Sequence, residues 1–170
     1  MNKESTLYKV VLLGALCAIC GALLAGVNAV TEPIIAEASI ANEKANLEKI
    51  YPGAEFAAVD YSADESGMIT GAYSAAGKGM IYKIHGVGYN SDGFDFLLAF
   101  NEDGTVGGYQ VLEENETSGF GKRCFEDDYV SQINALTSSD TAPLLSGATL
   151  TSTAVQKGFE AAKTLFEASK

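Results

Sequence analysis

The sequence predicts an α+β protein: an N-terminal transmembrane helix is followed by one extracytoplasmic domain, in which an antiparallel sheet packs against helices. Three observations predict this class. A long uncharged apolar run stands near the N-terminus, four short runs rich in β-branched and aromatic residues follow, and an apolar stripe of helical period closes the chain. At 170 residues, 47% hydrophobic and 19% charged, the chain is too apolar for a disordered protein and has room for one modest domain besides the helix.

The apolar run extends from Val10 to Val30 without a charged residue, and its one strongly polar side chain is Asn28. A helix of about 20 residues rises roughly 30 Å, enough to cross the hydrocarbon core of a bilayer. Lys3 and Lys9 precede the run, and the next lysine is Lys44. The positive-inside rule therefore predicts a single-pass protein of a bacterial cell (inner) membrane, with a cytoplasmic N-terminus and the rest outside.

A cleaved signal peptide is the alternative, because Val27-Asn28-Ala29 loosely resembles a small-x-small cleavage site. The run is long for a signal peptide, which favours an anchor that is retained. A lipoprotein signal is disfavoured, since neither Cys17 nor Cys20 follows the usual box of small residues.

Three parts are predicted along the chain. Residues 1–30 form the cytoplasmic N-terminus and the membrane helix, residues 31–53 a juxtamembrane helix, and residues 54–170 the folded domain. Good helix formers fill the second part up to Tyr51-Pro52-Gly53, where the helix is expected to stop.

Within the domain, turn signals separate four predicted strands: Gly67–Ala75, Met80–Tyr89, Phe94–Asn101 and Thr105–Leu112. The last two connections are short and rich in Asn, Asp and Gly, which predicts tight hairpins and an antiparallel sheet.

A helix is predicted at the C-terminal end. Its apolar stripe has members at i, i+4, i+7 and i+11, and Thr153-Ala154-Val155-Gln156 fits a capping box that would open the helix. The stripe consists of Val155, Phe159, Ala162 and Phe166.

Charge and metal-ligand content exclude several classes of protein. Of the net charge of −11, residues 1–30 contribute +1, which leaves −12 on residues 31–170 and argues against nucleic acid as a partner. Cys17 and Cys20 share a helical face inside the membrane run, where packing between helices is favoured over a metal site shared with partner chains. Cys124 stands alone, so no disulfide framework is predicted, and His85 in a predicted strand cannot form a histidine metal site by itself. No metal site is predicted.

The first motif with chemical potential is Ser146-Gly147-Ala148-Thr149-Leu150-Thr151-Ser152, just before the C-terminal helix. Small residues and hydroxyls at a helix N-terminus suit a phosphate, because unpaired backbone N–H groups and the positive end of the helix dipole lie there. From these residues alone, an ordinary hydroxyl-rich helix cap remains the alternative.

The second motif is Glu116-Thr117-Ser118-Gly119-Phe120-Gly121-Lys122, after the last predicted strand. Two glycines around an aromatic residue make a loop able to fold closely over a planar ligand, and Glu116 and Thr117 could bond to ring edges or sugar hydroxyls. A solvated turn is the alternative.

Taken together and in order, these motifs resemble the flavin-binding G subunit of Rnf complexes and its relative, the C subunit of the sodium-pumping NADH:quinone oxidoreductase. The resemblance covers nearly the whole chain. It includes the N-terminal span, Val30-Thr31-Glu32-Pro33-Ile34, Gly88-Tyr89, Asp103-Gly104, the loop at 116–121 and the motif at 146–149.

The resemblance implies an FMN-binding domain at 54–170 with one covalent FMN. In that family the last threonine of Ser-Gly-Ala-Thr is joined to the FMN phosphate by a phosphoester, which implies the same for Thr149. The implied cofactor-binding residues around it are Ser146, Gly147, Ala148, Leu150, Glu116, Thr117, Gly119 and Gly121. No residue is expected to act as an acid–base catalyst.

The implied function is that of an electron-transfer subunit in an Rnf-type complex, which couples ferredoxin:NAD electron transfer to sodium or proton translocation. The chain would then be a redox subunit of a translocase, with the other membrane subunits as partners. An extracytoplasmic flavin transferase that uses FAD is also implied, because Thr149 is a weak nucleophile without a neighbouring histidine or lysine.

Three alternatives stay open. The first is the C subunit of the sodium-pumping NADH:quinone oxidoreductase, which is longer than this chain and therefore fits its length less well. A flavin domain that serves another extracytoplasmic reductase, or a membrane-anchored extracellular binding module without flavin, would also fit the anchor and the domain.

The sequence departs from the family pattern at two places. The loop usually reads Glu-Thr-Pro-Gly-Leu-Gly, whereas Ser118 and Phe120 stand here for the proline and the leucine, which keeps the turn but lowers its rigidity. Pro143 stands where the family usually has an aspartate, and the nearest acid is Asp140. This second departure bears on recognition by the flavin transferase.

Overall fold

The computed structural model describes residues 6–114, 116 and 118–169, and its account of side chains omits 6–7, 28–41 and 113–114. The contacts of the chain divide it into two compact units, with the boundary between Ala45 and Asn46. The elements in chain order are α1 Thr6–Ile50, β1 Phe56–Ala58, β2 Ile69–Ala75, β3 Gly79–Gly86, β4 Phe94–Asn101, β5 Val106–Glu114, a 3-10 helix Gly121–Phe125, α2 Asp127–Asn134 and α3 Thr149–Ala168.

The first unit contains α1 up to Ala45. Its segment Tyr8–Val27 is long and apolar enough to cross a membrane, and none of it is buried by protein. A core helix of a soluble protein would be mostly buried, so that interpretation does not fit. A signal sequence passes the same test near an N-terminus, so both interpretations of the sequence, anchor and signal, still stand.

Residues 6–50 form one α-helix, so the predicted membrane and juxtamembrane segments are continuous. The helix ends at Ile50, directly before Tyr51-Pro52-Gly53, as predicted. The predicted domain boundaries, after residues 30 and 53, stay a prediction.

The second unit is built on a five-stranded antiparallel sheet in the order β1-β2-β3-β4-β5. All four predicted strands are present as β2 to β5, and the fold class is the predicted α+β. β1 was not predicted, because a three-residue strand of one phenylalanine and two exposed alanines has no alternation to detect.

Strand β4 is buried on both faces of the sheet, which explains its almost uninterrupted apolar sequence. One face carries the main core, where Phe96 and Phe100 pack with Phe159 of α3 and with α2. On the other face, Leu47 near the end of α1 and Tyr51 directly after the helix cover the sheet.

The predicted apolar stripe of α3 is confirmed, since its four members are 0–3% exposed. The predicted capping box is wrong. α3 begins at Thr149, four residues earlier, and Thr153 donates its hydroxyl to the Thr149 carbonyl at 2.7 Å, as a threonine inside a helix does. Gln156 donates instead to the Ala142 carbonyl at 2.7 Å. α2 and the 3-10 helix were not predicted.

Candidate functional site

Three chain segments meet at the N-terminus of α3: the loop after β3, the loop at 116–121 and the motif at 146–149. The Tyr89 backbone N–H donates to Thr151 Oγ1 at 3.3 Å, and the Asn90 N–H donates to Glu116 Oε1 at 3.4 Å. The two motifs that the sequence presents separately therefore belong to one site.

No side chain that the structure describes caps the first turn of α3. Ala148 is the N-cap residue, and its side chain can accept no hydrogen bond. Among the described residues, the N–H groups of Thr149, Leu150 and Thr151 have no partner. The hydroxyl-rich cap considered for this motif is thus not formed, and the positive end of the helix faces outward beside the exposed Thr149.

A cation lies next to this turn. Arg123 donates from Nη1 to the Ser146 carbonyl at 2.8 Å, and the same nitrogen lies 3.0 Å from where a Cβ on Gly147 would be. Gly147 has φ +85°, in the left-handed region that favours glycine. The guanidinium thus holds the turn that leads into Thr149 and adds positive charge beside it.

Glu116 is buried, with 6% of its surface exposed, and it faces inward rather than toward solvent. Its Oε2 has no hydrogen-bond partner among the described residues. The carboxylate and the buried Thr151 hydroxyl fill the space beside Gly88 and Gly121, where a Cβ on either glycine would overlap both groups. Gly121 is therefore required for packing around this carboxylate.

The other glycine of the loop has a different role. Gly119 is exposed, has φ +80° and has open space around its Cα, so the turn conformation rather than packing favours glycine there. Thr117, a predicted contact of the cofactor, lies outside the described residues.

Two aromatic rings lie at the surface of the site. Tyr89 and Phe120 stack with ring centroids 5.6 Å apart and planes inclined by 13°. Each is more than half exposed, as is Leu150 in the first turn of α3. Phe120 is one of the two residues that depart from the family loop.

A buried thiol lies beneath the first turn. Cys124 Sγ is 3.9 Å from the Ala148 carbonyl oxygen, and burial, with a smaller effect of Glu116, raises the pKa of the thiol to about 12. A neutral thiol is unreactive, so Cys124 is a packing residue here. Among the described residues, no group of three or more His, Cys, Asp or Glu side chains is placed to hold a metal ion.

The other sequence candidates lie outside the site. His85 is in β3 and pairs with Asp95 on β4, with 2.7 Å between Nδ1 and Oδ1. Asp140, the acid nearest to Pro143, accepts from the Thr137 N–H and hydroxyl at 2.8 Å each, and these bonds lower the pKa of its carboxyl. Asp140 is thus engaged in its own turn.

Sequence reasoning missed Tyr89 and Arg123 as site residues, and it included Thr151 only as a hydroxyl of the first motif. Tyr89 carries a signal only through the family resemblance. Arg123 carries no signal of its own, because its relation to Ser146 exists only across two loops. The site lies at the surface of the protein. A separate recess of about 890 Å³ lies beside the middle of α3, and none of these residues lines it.

Comparison with known proteins agrees with this geometry. A family model described as the FMN-binding domain matches residues 88–164, a range that contains all three segments of the site. A second model, the RnfG N-terminal region, matches residues 1–50. The G subunit of the proton-translocating ferredoxin:NAD(+) oxidoreductase complex of Clostridium ljungdahlii is 28% identical over 162 residues, covering 86% of this chain and 83% of the relative.

Proposed function

This chain belongs to the RnfG-type subunits, and on that premise we propose that it is a membrane-anchored electron carrier with one FMN joined covalently to Thr149. It is an FMN-binding subunit of an Rnf-type redox complex. The covalent bond, the residues that surround it and the orientation in the membrane are the parts that we propose.

The observation that carries the proposal is the exposed Thr149 at the uncapped N-terminus of α3. A phosphodiester keeps one negative charge after attachment. Unpaired N–H groups and the helix dipole favour an anion there by about 0.3–1 kcal/mol at an exposed site. The Arg123 guanidinium lies beside the same turn and has further donors free to bond a phosphate oxygen.

The residues present fit FMN. Three backbone donors and one guanidinium suit the phosphate, and the exposed apolar side chains of the site suit a flavin. When bound, FMN supplies the electron-transfer chemistry, and the protein sets its position and potential. We infer that the buried Glu116 carboxylate holds the loop after β3 and the loop at 116–121 together. The other residues that we propose to surround FMN are Thr117, Ser146, Gly147, Ala148, Leu150, Gly119 and Gly121.

Attachment requires a second protein. Among the described residues, no histidine or lysine contacts the Thr149 hydroxyl, so nothing in this site activates it as a nucleophile. An extracytoplasmic transferase with FAD as donor satisfies the chemistry. The threonine oxygen forms a bond to the FMN phosphorus, the pyrophosphate bond breaks, AMP leaves with the electron pair, and a base of the transferase takes the hydroxyl proton.

The proposed setting is a bacterial cell membrane, crossed once by the segment that includes Tyr8–Val27, with the domain on the extracytoplasmic side. Other Rnf subunits are the partners. The complex would couple electron transfer between ferredoxin and NAD to the movement of sodium or protons.

Peptide mass spectrometry tests the central claim. The chain is purified from its native membrane, and the fragment containing Thr149 is sequenced by fragment ions, because Thr151 and Thr153 lie in the same peptide. The expected result is the mass of FMN less one water on Thr149. An unmodified peptide from flavin-replete cells, in a colourless protein, would remove the proposal and favour a binding module without flavin.

A further inference from the structure

We propose that the flavin ring binds against the stacked pair of Tyr89 and Phe120, so that the isoalloxazine lies against these two side chains. This binding surface is called the ring seat below. The inference rests on the proposed attachment at Thr149 and deepens it. Thr149 holds the phosphate end of the cofactor, and the aromatic pair holds the opposite end.

The distribution of exposed apolar side chains supports a ring site here. Six large hydrophobic side chains are exposed among the described residues of the second unit. Exposed apolar side chains that cluster on a protein surface mark interaction sites. Five of the six belong to the segments around Thr149 or directly beside them: Val87, Tyr89, Phe120, Leu144 and Leu150. The sixth, Tyr61, lies between β1 and β2.

The pair is connected to the attachment point by the backbone. Tyr89 donates its N–H to Thr151 Oγ1, two residues after Thr149, and Phe120 lies one residue before Gly121, which packs against that same hydroxyl. The rings are therefore held by backbone positions next to the first turn of α3.

The geometry of the pair suits a planar partner. Two rings inclined by only 13° present parallel faces, and each ring is more than half exposed. A third aromatic ring can extend such a stack by offset face-to-face contact. A tethered flavin ring would cover the exposed apolar surface of this pair.

The site holds both a charged group and apolar rings. Arg123 donates to the Ser146 carbonyl, and Tyr89 of the aromatic pair donates its N–H to Thr151 Oγ1. FMN likewise combines a charged phosphate with a planar ring.

Flavin fluorescence tests the seat with the isosteric variant Tyr89→Phe in the full-length holoprotein. A phenol within contact passes an electron to the photoexcited ring and receives it back without emission, whereas a phenylalanine does not. We expect a several-fold higher emission yield in Tyr89→Phe, and no change in the matched control Tyr61→Phe. Phe120→Ala is expected to expose the ring, measured as a several-fold larger quenching constant for iodide.

Mass spectrometry of the Thr149 peptide accompanies each measurement, so that the two proposals can fail separately. FMN on Thr149, with equal emission in wild type, Tyr89→Phe and Tyr61→Phe and equal iodide quenching in Phe120→Ala, would overturn the ring seat alone. A wild-type chain without FMN on Thr149 would overturn the attachment and the seat with it.

Discussion

The backbone N–H of Tyr89 donates a hydrogen bond to Thr151 Oγ1 at 3.3 Å, across 62 positions of the sequence. This bond joins the loop after β3 to the first turn of α3, and Thr151 is fully buried where it forms. The site therefore depends on the buried side chain of Thr151, two residues after the exposed Thr149.

Replacing Thr151 by valine tests this bond. The variant keeps the shape and leaves the Tyr89 N–H without an acceptor, which should lower the free energy of unfolding by about 1–3 kcal/mol. Urea unfolding with an unchanged slope measures it. Thr151→Ser keeps the hydroxyl, so it should preserve the flavin spectrum of the wild type even where it costs packing. Equal flavin spectra in the valine and serine variants would argue against the role of the bond.

Thr149→Ala should abolish covalent flavin and leave the fold intact. The side chain is exposed, so the free energy of unfolding should change by less than about 0.5 kcal/mol. In-gel flavin fluorescence after denaturation measures the covalent bond. The matched control is Thr153→Ala on the same helix, which should retain the flavin; a fluorescent band in Thr149→Ala would place the attachment elsewhere.

Arg123→Gln should reduce the fraction of chains that carry FMN. The change removes the cation beside the turn and the charge-assisted bond to the Ser146 carbonyl. Intact-mass spectrometry of chains expressed with the transferase gives the modified fraction. Arg123→Lys keeps the charge and should fall between wild type and Arg123→Gln, whereas Lys122→Gln removes the adjacent cation and should have little effect. A drop of the same size in Lys122→Gln would point to net charge rather than to Arg123.

Gly121→Ala should destabilise the domain more than Gly119→Ala. A Cβ at Gly121 overlaps the Glu116 carboxylate and the Thr151 hydroxyl, whereas Gly119 has open space and suffers only from its φ of +80°. We expect about 1–3 kcal/mol for Gly121→Ala, in line with overpacking of a core. A double-mutant cycle with Glu116→Ala locates the cause, because removing the carboxylate should recover part of the loss. Strict additivity would contradict the packing explanation.

The Cys124 thiol should resist alkylation in the folded protein. Because burial raises its pKa to about 12, the thiol stays neutral at about pH 7–9, where an ordinary cysteine ionises. The raised pKa also predicts that stability falls above about pH 9, since the unfolded chain then loses a proton that the folded chain keeps. Iodoacetamide labelling in a Cys17→Ser/Cys20→Ser background measures the first effect, and rapid labelling of the native protein at about pH 8 would contradict it.

Much of the fold could be predicted because its signals are local. The runs of β-branched and aromatic residues in β2 to β5, and the apolar period near 3.6 in α3, each arise within one element. β1 and α2 were missed for the opposite reason. Each is too short for a period, and α2 buries only Tyr129 and Ile133 on its eight residues.

The start of α3 shows where local reasoning fails. Thr153 and Gln156 have the residue types of a capping box, but both bond within or beside a helix that is already formed. The true N-cap, Ala148, has no capping side chain, so composition could not mark it. The position of Ala148 is set by packing, since the residue is buried and its carbonyl oxygen lies 3.9 Å from Cys124 Sγ.

By itself, the sequence determined the class of the fold, the apolar N-terminal helix and the two motifs that suggested a phosphate and a planar ligand. These are properties of neighbouring residues, and the chemistry of a short segment does not depend on the rest of the chain. Only the tertiary structure decided that the motifs form one site, that Gly121 makes room for a buried carboxylate and that Arg123 lies beside the Ser146 turn. Such relations join residues far apart in sequence, and they exist only once the sheet and α3 bury their apolar faces together.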